Sequence, residues 1–220
     1  MDTRAWWLGL ALVWAGDVWA SQLPQGFSAI SEVSALVVED MRYATADNFT
    51  GRVVPGYSAG RCWLLRPAAE ALAKVAETAR KQGLRLAVHD CYRPARATAA
   101  FVQWAQDIQD QSTKAIYYPN AAKSALFAEG YIGRYSAHST GSAVDLSLRR
   151  IDGTALEFGT PFDFFDPRSA TAAHVSPEAR GNRQKLKALM ESGGFKNYTR
   201  EWWHFGFPAP GAKAFDVPIE

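Results

Sequence analysis

Three stretches of the chain place apolar residues three or four positions apart, which is the spacing of an amphipathic helix. They cover residues 66–83, 94–108 and 176–194. Proline favours the first turn of a helix, serine caps it and glycine favours its end. The starts of these stretches contain Pro67, Pro94 and Ser176-Pro177. Two of them end at glycines, Gly83 and Gly193-Gly194. The pattern therefore predicts three helices with these boundaries.

Shorter segments beside the predicted helices have the features of strands. Residues 84–88 form an apolar run, and residues 143–148 alternate large apolar side chains with small or polar ones. Residues 202–207 are predicted to form a final strand. We find no internal repeat and no interdomain linker after Ser21, and 220 residues are enough for one domain with a sizeable core. The mixture predicts a single α+β domain.

The first twenty residues differ from the rest of the chain in how their charged and apolar residues are arranged. Residues 1–4 contain one basic side chain, residues 5–16 are apolar, and Val18-Trp19-Ala20 fits the small-residue cleavage pattern at its outer positions. The apolar run is shorter than the roughly 20 residues that span a bilayer. We therefore predict a signal peptide over residues 1–20, with an exported mature chain that starts at Ser21 and has no membrane span. A buried N-terminal helix is the alternative.

Composition excludes several classes of partner. A net charge of +2, with no run of Lys or Arg, argues against binding to nucleic acid or to an acidic membrane surface. The chain also lacks a GxGxxG turn, which argues against a nucleotide cofactor. Two cysteines, Cys62 and Cys91, suggest one disulfide in an exported protein. Two free buried thiols are the alternative.

His138 lies in a Gly- and Ser-rich loop that precedes a predicted strand. Because Val144 and Leu146 of that strand must face the core, Asp145 faces the other way. Gly141 allows the loop to fold back, so that His138 and Asp145 can meet. Taken alone, Asp145 could equally be a solvated strand residue.

Two further segments contain residue types that enzymes use in catalysis. Glu201 precedes His204 by three positions, and on a regular strand these side chains would face opposite ways. We therefore predict either that Glu201 lies in a turn before the strand or that a bulge intervenes. Arg93 follows a strand and precedes a helix, where a rigid scaffold can fix a functional side chain. Alternatively, His204 could be a packed core histidine, and Arg93 could be a surface residue paired with Asp90.

Together these residues contain the parts that metal-assisted peptide hydrolysis requires. Two histidines and one carboxylate, His138, His204 and Asp145, form a three-ligand set that leaves a position for water and suits Zn²⁺. Glu201 would serve as general base, and Arg93 would stabilise the charge on the carbonyl oxygen. His89, on an apolar strand, is predicted to be a packed or sheet-edge residue.

The zinc-binding motifs of VanX-type D-alanyl-D-alanine dipeptidases closely resemble two segments of this chain, SAHSTGSAVD at residues 136–145 and EWWH at residues 201–204. The resemblance extends through residues 42–51, Tyr92-Arg93-Pro94, residues 162–164 and residues 166–169. It covers nearly all of the chain from about residue 30 to 207. The family's fold would be a small, mostly antiparallel central sheet flanked by helices, with the zinc site on one face.

The resemblance also implies roles for individual residues. His138, Asp145 and His204 would hold one Zn²⁺ per chain, with Glu201 as base and Arg93 stabilising the transition state. Three further residues, Ser136, Tyr43 and Asp163, would hold the dipeptide, and Asp163 would pair with its free amino group.

The expected activity is hydrolysis of D-alanyl-D-alanine in the periplasm. The predicted signal peptide distinguishes this chain from cytoplasmic members of that type, and Cys62 and Cys91 are not part of the catalytic pattern. Two alternatives stay open, namely a zinc D,D-carboxypeptidase that acts on longer cell-wall peptides and a non-catalytic zinc-stabilised binding module of the Hedgehog type.

Overall fold

A computed structural model describes residues 23–220 of the chain, so the predicted signal peptide lies outside the described residues. Within this range the helices are α1 Ile30–Val33, α2 Arg66–Lys81, α3 Ala95–Gln106, α4 Lys114–Tyr117 and α5 Pro177–Ser192. Short 3₁₀ segments cover Arg42–Ala44, Lys123–Ala125, Ala137–Thr140 and Pro167–Ser169. Every helix in this part of the chain is too short or too polar to cross a lipid bilayer.

The three helices predicted from periodicity are α2, α3 and α5. Helices α2 and α3 each end two residues before the predicted boundary, at Lys81 and Gln106. Ser176 caps α5 by accepting a hydrogen bond from the Ala179 N–H, as the Ser-Pro pattern indicated. Helix α2 buries Leu72 and Val75 on its apolar face. Each such side chain contributes roughly 1.5–3 kcal/mol to stability.

The strands are β1 Phe27–Ala29, β2 Val37–Glu39, β3 Trp63–Leu65, β4 Leu84–Asp90, β5 Ala143–Arg150, β6 Lys196–Asn197 and β7 His204–Gly206. In the described residues, five of them form a sheet in the order β2-β4-β5-β7-β6. Only the β2–β4 pair in this sheet is parallel. The expected mostly antiparallel central sheet is therefore confirmed.

A second, smaller sheet of β1 and β3 was not predicted from the sequence. A disulfide between Cys62 and Cys91 connects it to the central sheet. Cys62 precedes β3 and Cys91 follows β4, and both are fully buried. The alternative of two free thiols is therefore wrong for this structure.

One face of the central sheet is apolar. Leu86 and Val88 of β4 lie opposite Leu148 and Leu146 of β5, and all four are fully buried. Helix α2 packs against β4, and α5 packs against α2 and β5, so this face is covered by helices. The alternation predicted for residues 143–148 is confirmed, because the intervening side chains face the opposite side of the sheet.

Polar residues lie together at one end of the opposite face of the central sheet. The β4–β5 register shifts between Val88 and Asp90, so that Asp90 lies opposite Asp145. A bulge of this kind reorients the side chains around it. Asp145 in turn lies opposite His204 on β7. The register therefore brings Asp90, Asp145 and His204 to one place on one face.

Candidate metal centre

His138 lies in the 3₁₀ segment Ala137–Thr140, which precedes β5. The Ser136 hydroxyl caps this segment and accepts a hydrogen bond from the His138 N–H at 3.2 Å. Gly141 ends it with φ +73, in the left-handed region. A Cβ at this glycine would lie 2.2 Å from the Phe27 ring. The loop therefore needs glycine both for its backbone angle and for the close approach to Phe27.

The orientation of the His138 ring is set by a main-chain contact. Its Nδ1 lies 2.7 Å from the Cys91 carbonyl oxygen, which can only accept a hydrogen bond. Nδ1 must therefore carry the proton, and in the neutral ring Nε2 has a free lone pair. Fixing one ring nitrogen in this way is how proteins orient histidine ligands of metals.

Three potential metal-ligand groups, which we call the three donors, converge in front of the His138 Nε2 lone pair. His138 Nε2 lies 3.1 Å from His204 Nδ1 and 3.3 Å from an Asp145 oxygen, and His204 Nδ1 lies 2.9 Å from the other Asp145 oxygen. Two imidazole nitrogens and a carboxylate are attracted to one point only by a proton or a cation. Tetrahedral bonds of about 2.0–2.1 Å separate neighbouring ligand atoms by roughly 3.3 Å. The three residues thus fit a metal ion.

The carboxylate and the two imidazoles at this point shift one another's pKa values. Burial opposes ionisation of Asp145, but His138 and His204 outweigh it and hold the pKa of its carboxyl well below the usual range. Burial also opposes protonation of His204, yet Asp145 raises the pKa of its imidazole above the ordinary value. A buried carboxylate that stays ionised is suited to hold a cation. The alternative of a solvated Asp145 is wrong, because this residue is buried.

Glu201 lies in a turn directly before β7. Its N–H donates to the Tyr198 carbonyl at 2.9 Å, and the Asn197 side chain donates to the Glu201 carbonyl at 3.1 Å. The predicted final strand therefore begins two residues later than expected, at His204. This turn lets the Glu201 carboxylate approach to 4.0 Å from His204 Nδ1. Burial raises the pKa of Glu201 above its ordinary value.

Arg93 is paired with Asp90, as one alternative held, but it is not a surface residue. Its side chain is 12% exposed, and its Nε and Nη2 lie 2.9 and 2.8 Å from one Asp90 oxygen. The guanidinium packs against the rings of Tyr43 and Phe101, with its central carbon 5.2 and 4.9 Å from their centroids. Arg93 Nη2 also lies 3.8 Å from Asp145. These contacts fix the Arg93 guanidinium beside His138, Asp145 and His204.

A cavity of about 180 Å³ joins these groups to the remaining predicted site residues. Its walls include Arg93, Glu201, the three donors and the predicted substrate residues Ser136, Tyr43 and Asp163. The Tyr43 hydroxyl donates to Asp163 at 2.8 Å, and both residues are buried. Burial, together with the charge of Asp145, raises the pKa of Asp163 well above its ordinary value. The structure thus brings every predicted site residue into one pocket.

Asp90 is a site residue whose contribution the sequence did not reveal. It is fully buried, accepts a hydrogen bond from the Tyr57 hydroxyl, and lies 3.3 Å from His138 Nδ1. It therefore orients both Arg93 and a donor histidine. Its place at the end of a predicted strand was visible, but its burial depends on the β4 bulge, which has no local sequence signal.

The Peptidase_M15 family pattern, described as D-ala-D-ala dipeptidase, matches residues 24–217. The D-alanyl-D-alanine dipeptidase of Enterococcus faecium is 42% identical over 200 residues, which cover 89% of this chain and 98% of the relative. The enzyme of the same name from Streptomyces coelicolor is 38% identical over 198 residues, covering 88% of this chain and 98% of the relative.

Solved structures are more distant. The vancomycin resistance D,D-pentapeptidase VanY in complex with Zn(II) is 18% identical, with a TM-score of 0.41 over 66% of this chain and 73% of that chain. The D,D-dipeptidase VanXYg, in complex with a D-Ala-D-Ala phosphinate analog, is 16% identical, with a TM-score of 0.38 over 84% of this chain and 67% of that chain.

Proposed function

This chain belongs to the Peptidase_M15 family of D-Ala-D-Ala dipeptidases, and we propose that it hydrolyses D-alanyl-D-alanine to two molecules of D-alanine. The observation that carries this proposal is the convergence of His138, Asp145 and His204 beside Glu201 and Arg93 in one small pocket. A structural metal site would be closed by a fourth protein ligand. Among residues 23–220, the metal-binding group contains those three residues and no fourth.

The proposed cofactor is one Zn²⁺ per chain, held by His138, Asp145 and His204. Two imidazole nitrogens and one carboxylate oxygen are a donor set that zinc prefers, and their spacing fits its bond lengths. When bound, Zn²⁺ supplies the Lewis acidity that makes water a nucleophile near neutral pH. The Cys91 carbonyl keeps His138 in the tautomer whose Nε2 can bind the ion.

Two residues are proposed to carry the chemistry. The Glu201 carboxylate takes a proton from the attacking water and delivers it to the leaving amine. Burial raises its pKa, which brings it closer to the value at which one group can both accept and return a proton. Arg93, already fixed by Asp90, stabilises the negative charge that develops on the carbonyl oxygen.

The pocket favours a free dipeptide over longer peptides. A buried carboxylate, Asp163, lies in its wall, and an ammonium group would compensate that charge. A substrate without a free amino group would leave an ionised Asp163 with its Tyr43 hydrogen bond but no ammonium partner, which is costly in a buried site. The cavity of about 180 Å³ is also small for a ligand pocket. These features favour the dipeptidase over the alternative of a D,D-carboxypeptidase, with Tyr43 and Ser136 as further substrate contacts.

We also propose that the enzyme works in the periplasm, where it releases D-alanine from dipeptide that cell-wall turnover has set free. The pattern of residues 1–20 and the disulfide, which is typical of oxidising compartments, support this location. Fractionation of cells should recover the protein outside the cytoplasm, beginning at Ser21. Recovery from the cytosol with residues 1–20 intact would overturn the proposed location.

The test of the activity is release of D-alanine from D-alanyl-D-alanine by the purified chain from Ser21, with and without a chelator. We expect turnover that the chelator abolishes and Zn²⁺ restores, with little turnover of the N-acetylated dipeptide. Faster hydrolysis of an acylated longer peptide than of the dipeptide would favour the carboxypeptidase. Binding of one zinc with no hydrolysis of either substrate would refute the catalytic proposal.

A further inference from the structure

Arg183 of α5 is a charged side chain in the protein interior. It is 1% exposed, yet among residues 23–220 its guanidinium donates to neutral oxygens. Nε donates to the Phe158 carbonyl at 2.7 Å, and Nη1 donates to the carbonyls of Arg168 and Ala170 at 3.0 and 2.7 Å. Burial lowers the pKa of Arg183 to about 10, so the group stays protonated at neutral pH.

Glu157 is near enough to favour the charged form of Arg183, but the two make no ion pair within 4.0 Å. A buried cation held in this way is unfavourable unless its hydrogen bonds are well satisfied. Methionine or leucine would fill a similar volume on the same helix face without this cost. The arginine therefore contributes something that an apolar side chain could not, and the positions of its acceptors indicate what that is.

The acceptors lie at the two ends of one loop. Phe158 begins residues 158–170, which we name the Asp163 loop, while Arg168 and Ala170 lie at its other end. The planar guanidinium thus joins both ends of the loop, an arrangement that a single ammonium group cannot reproduce. Asp163 lies between the two ends with φ +58, an unusual backbone angle for a residue other than glycine.

The same contacts connect the loop to the turn that contains Glu201. The Thr160 hydroxyl oxygen lies 3.5 Å from Arg183 Nη2 and accepts a hydrogen bond from the Trp202 indole at 2.9 Å. The Trp202 main-chain N–H donates to the Ser169 carbonyl at 3.0 Å. Trp202 follows Glu201 directly, so the ends of the Asp163 loop are attached to the catalytic turn.

We propose that Arg183 is a positioning residue for substrate binding, which acts by holding the ends of the Asp163 loop together and so setting where the Asp163 carboxylate meets the substrate's amino group. This inference rests on the proposed function, because it takes Asp163 as the group that pairs with a free amine. Arg183 itself does not line the catalytic pocket.

The experiment compares Arg183→Lys and Arg183→Met with Arg180→Met. Arg180 is an exposed arginine on the same helix, so its variant is a matched control. For Arg183→Lys we expect KM for D-alanyl-D-alanine to rise about tenfold or more, with kcat changed less than about threefold. Zinc content should be unchanged, and the control should match the wild type. An unchanged KM, or a fall confined to kcat, would overturn the proposal.

Hydrogen exchange gives a measurement that does not depend on activity. Amides of residues 158–170 should exchange faster in Arg183→Lys than in the wild type, while those of β4 and β5 should not. If Arg183→Met fails to fold, the lysine variant alone carries this comparison. Equal acceleration throughout the protein, or none in the loop, would contradict a local positioning role.

A double-mutant cycle with Asp163→Asn tests whether Arg183 acts through Asp163. Once the carboxylate is gone, Arg183→Lys should raise KM no further, so the two effects should be far from additive. Additive effects would overturn the inference. If the wild type fails to hydrolyse the dipeptide, the proposed function fails instead, and hydrogen exchange still reports whether Arg183 holds the loop.

Discussion

Two polar clusters with a buried histidine lie on the same face of the central sheet, and their charges are arranged differently. The metal-centre cluster contains His138, Asp145 and His204. The His89 cluster contains His89, Ser147, Asp40, Arg42 and Arg149. There His89 Nε2 lies 2.9 Å from the Ser147 hydroxyl, and Nδ1 lies 3.6 Å from Asp40.

The difference lies in how each carboxylate is neutralised. Arg42 and Arg149 both pair with Asp40, so that carboxylate already has cationic partners. Asp145 has two imidazoles at hydrogen-bonding distance and a guanidinium only at 3.8 Å. An ion-paired carboxylate beside one histidine is a poor site for a metal ion. A carboxylate beside two imidazole donors is a good one.

The larger of the two cavities does not lie at the proposed metal centre. The cavity beside the His89 cluster is about 480 Å³, against about 180 Å³ at the metal centre. The larger cavity has one histidine in its wall, His89, beside Arg42 and Arg149, and both arginines pair with Asp40. The proposed site is therefore distinguished by the arrangement of its lone pairs and charges and not by the volume of its cavity.

The largest expected effect contrasts the histidines of the two clusters. His204→Ala removes one of three donors, so we expect zinc content to fall towards zero and activity to fall by at least about a thousandfold. His89→Gln should keep one zinc per chain and most of the activity. Metal analysis and D-alanine release measure both variants. Loss of zinc from the His89 variant would contradict the proposed difference between the two clusters.

Glu201→Gln should separate catalysis from metal binding. The amide keeps the size of the side chain but cannot accept the water's proton, so kcat should fall by about 10²–10⁴. Zinc content should stay at the wild-type value, because Glu201 is not among the three donors. A variant that lost zinc in parallel with activity would show Glu201 to be a ligand instead.

Removal of the disulfide should affect both stability and the metal centre. The Cys62→Ala/Cys91→Ala variant opens a loop of 29 residues, so the free energy of unfolding should fall by about 3–4 kcal/mol. Because the Cys91 carbonyl holds His138, zinc affinity should also fall, by about tenfold or more. Chemical denaturation and metal competition measure the two effects. Unchanged zinc affinity would show that the main chain holds the carbonyl without the disulfide.

The smallest effect concerns the pH dependence of stability. Burial, together with the charge of Arg42, lowers the pKa of His89 from 6.5 to about 4. The unfolded chain therefore binds a proton at this site between pH 6.5 and 4 while the folded chain does not, so stability falls as the pH is lowered through this range. The loss should reach up to about 3 kcal/mol. His89→Gln should lose less stability on acidification, as urea denaturation at several pH values would measure, whereas identical slopes would assign the acid sensitivity to other groups.

Local patterns predicted helices α2, α3 and α5 and the polar face of β5, because periodicity depends only on neighbouring residues. The strands β1, β2, β3 and β6 were missed, since each has three residues or fewer and no periodicity to read. The start of β7 was placed too early, because Trp202 and Trp203 favour a strand by composition. Tertiary packing instead buries both in the turn beside Glu201.

The sequence by itself determined which groups could bind a metal and hydrolyse a peptide, since two histidines, an aspartate, a glutamate and an arginine occur in recognisable local patterns. Only the tertiary structure decided how those groups meet. The bulge in β4 turns Asp90 towards Arg93 and His138, and the β5–β7 register places Asp145 opposite His204. Arg183 holds the ends of the Asp163 loop from a helix distant in sequence. These contacts depend on register, backbone angles and buried hydrogen bonds between distant segments, which no local pattern of residues specifies.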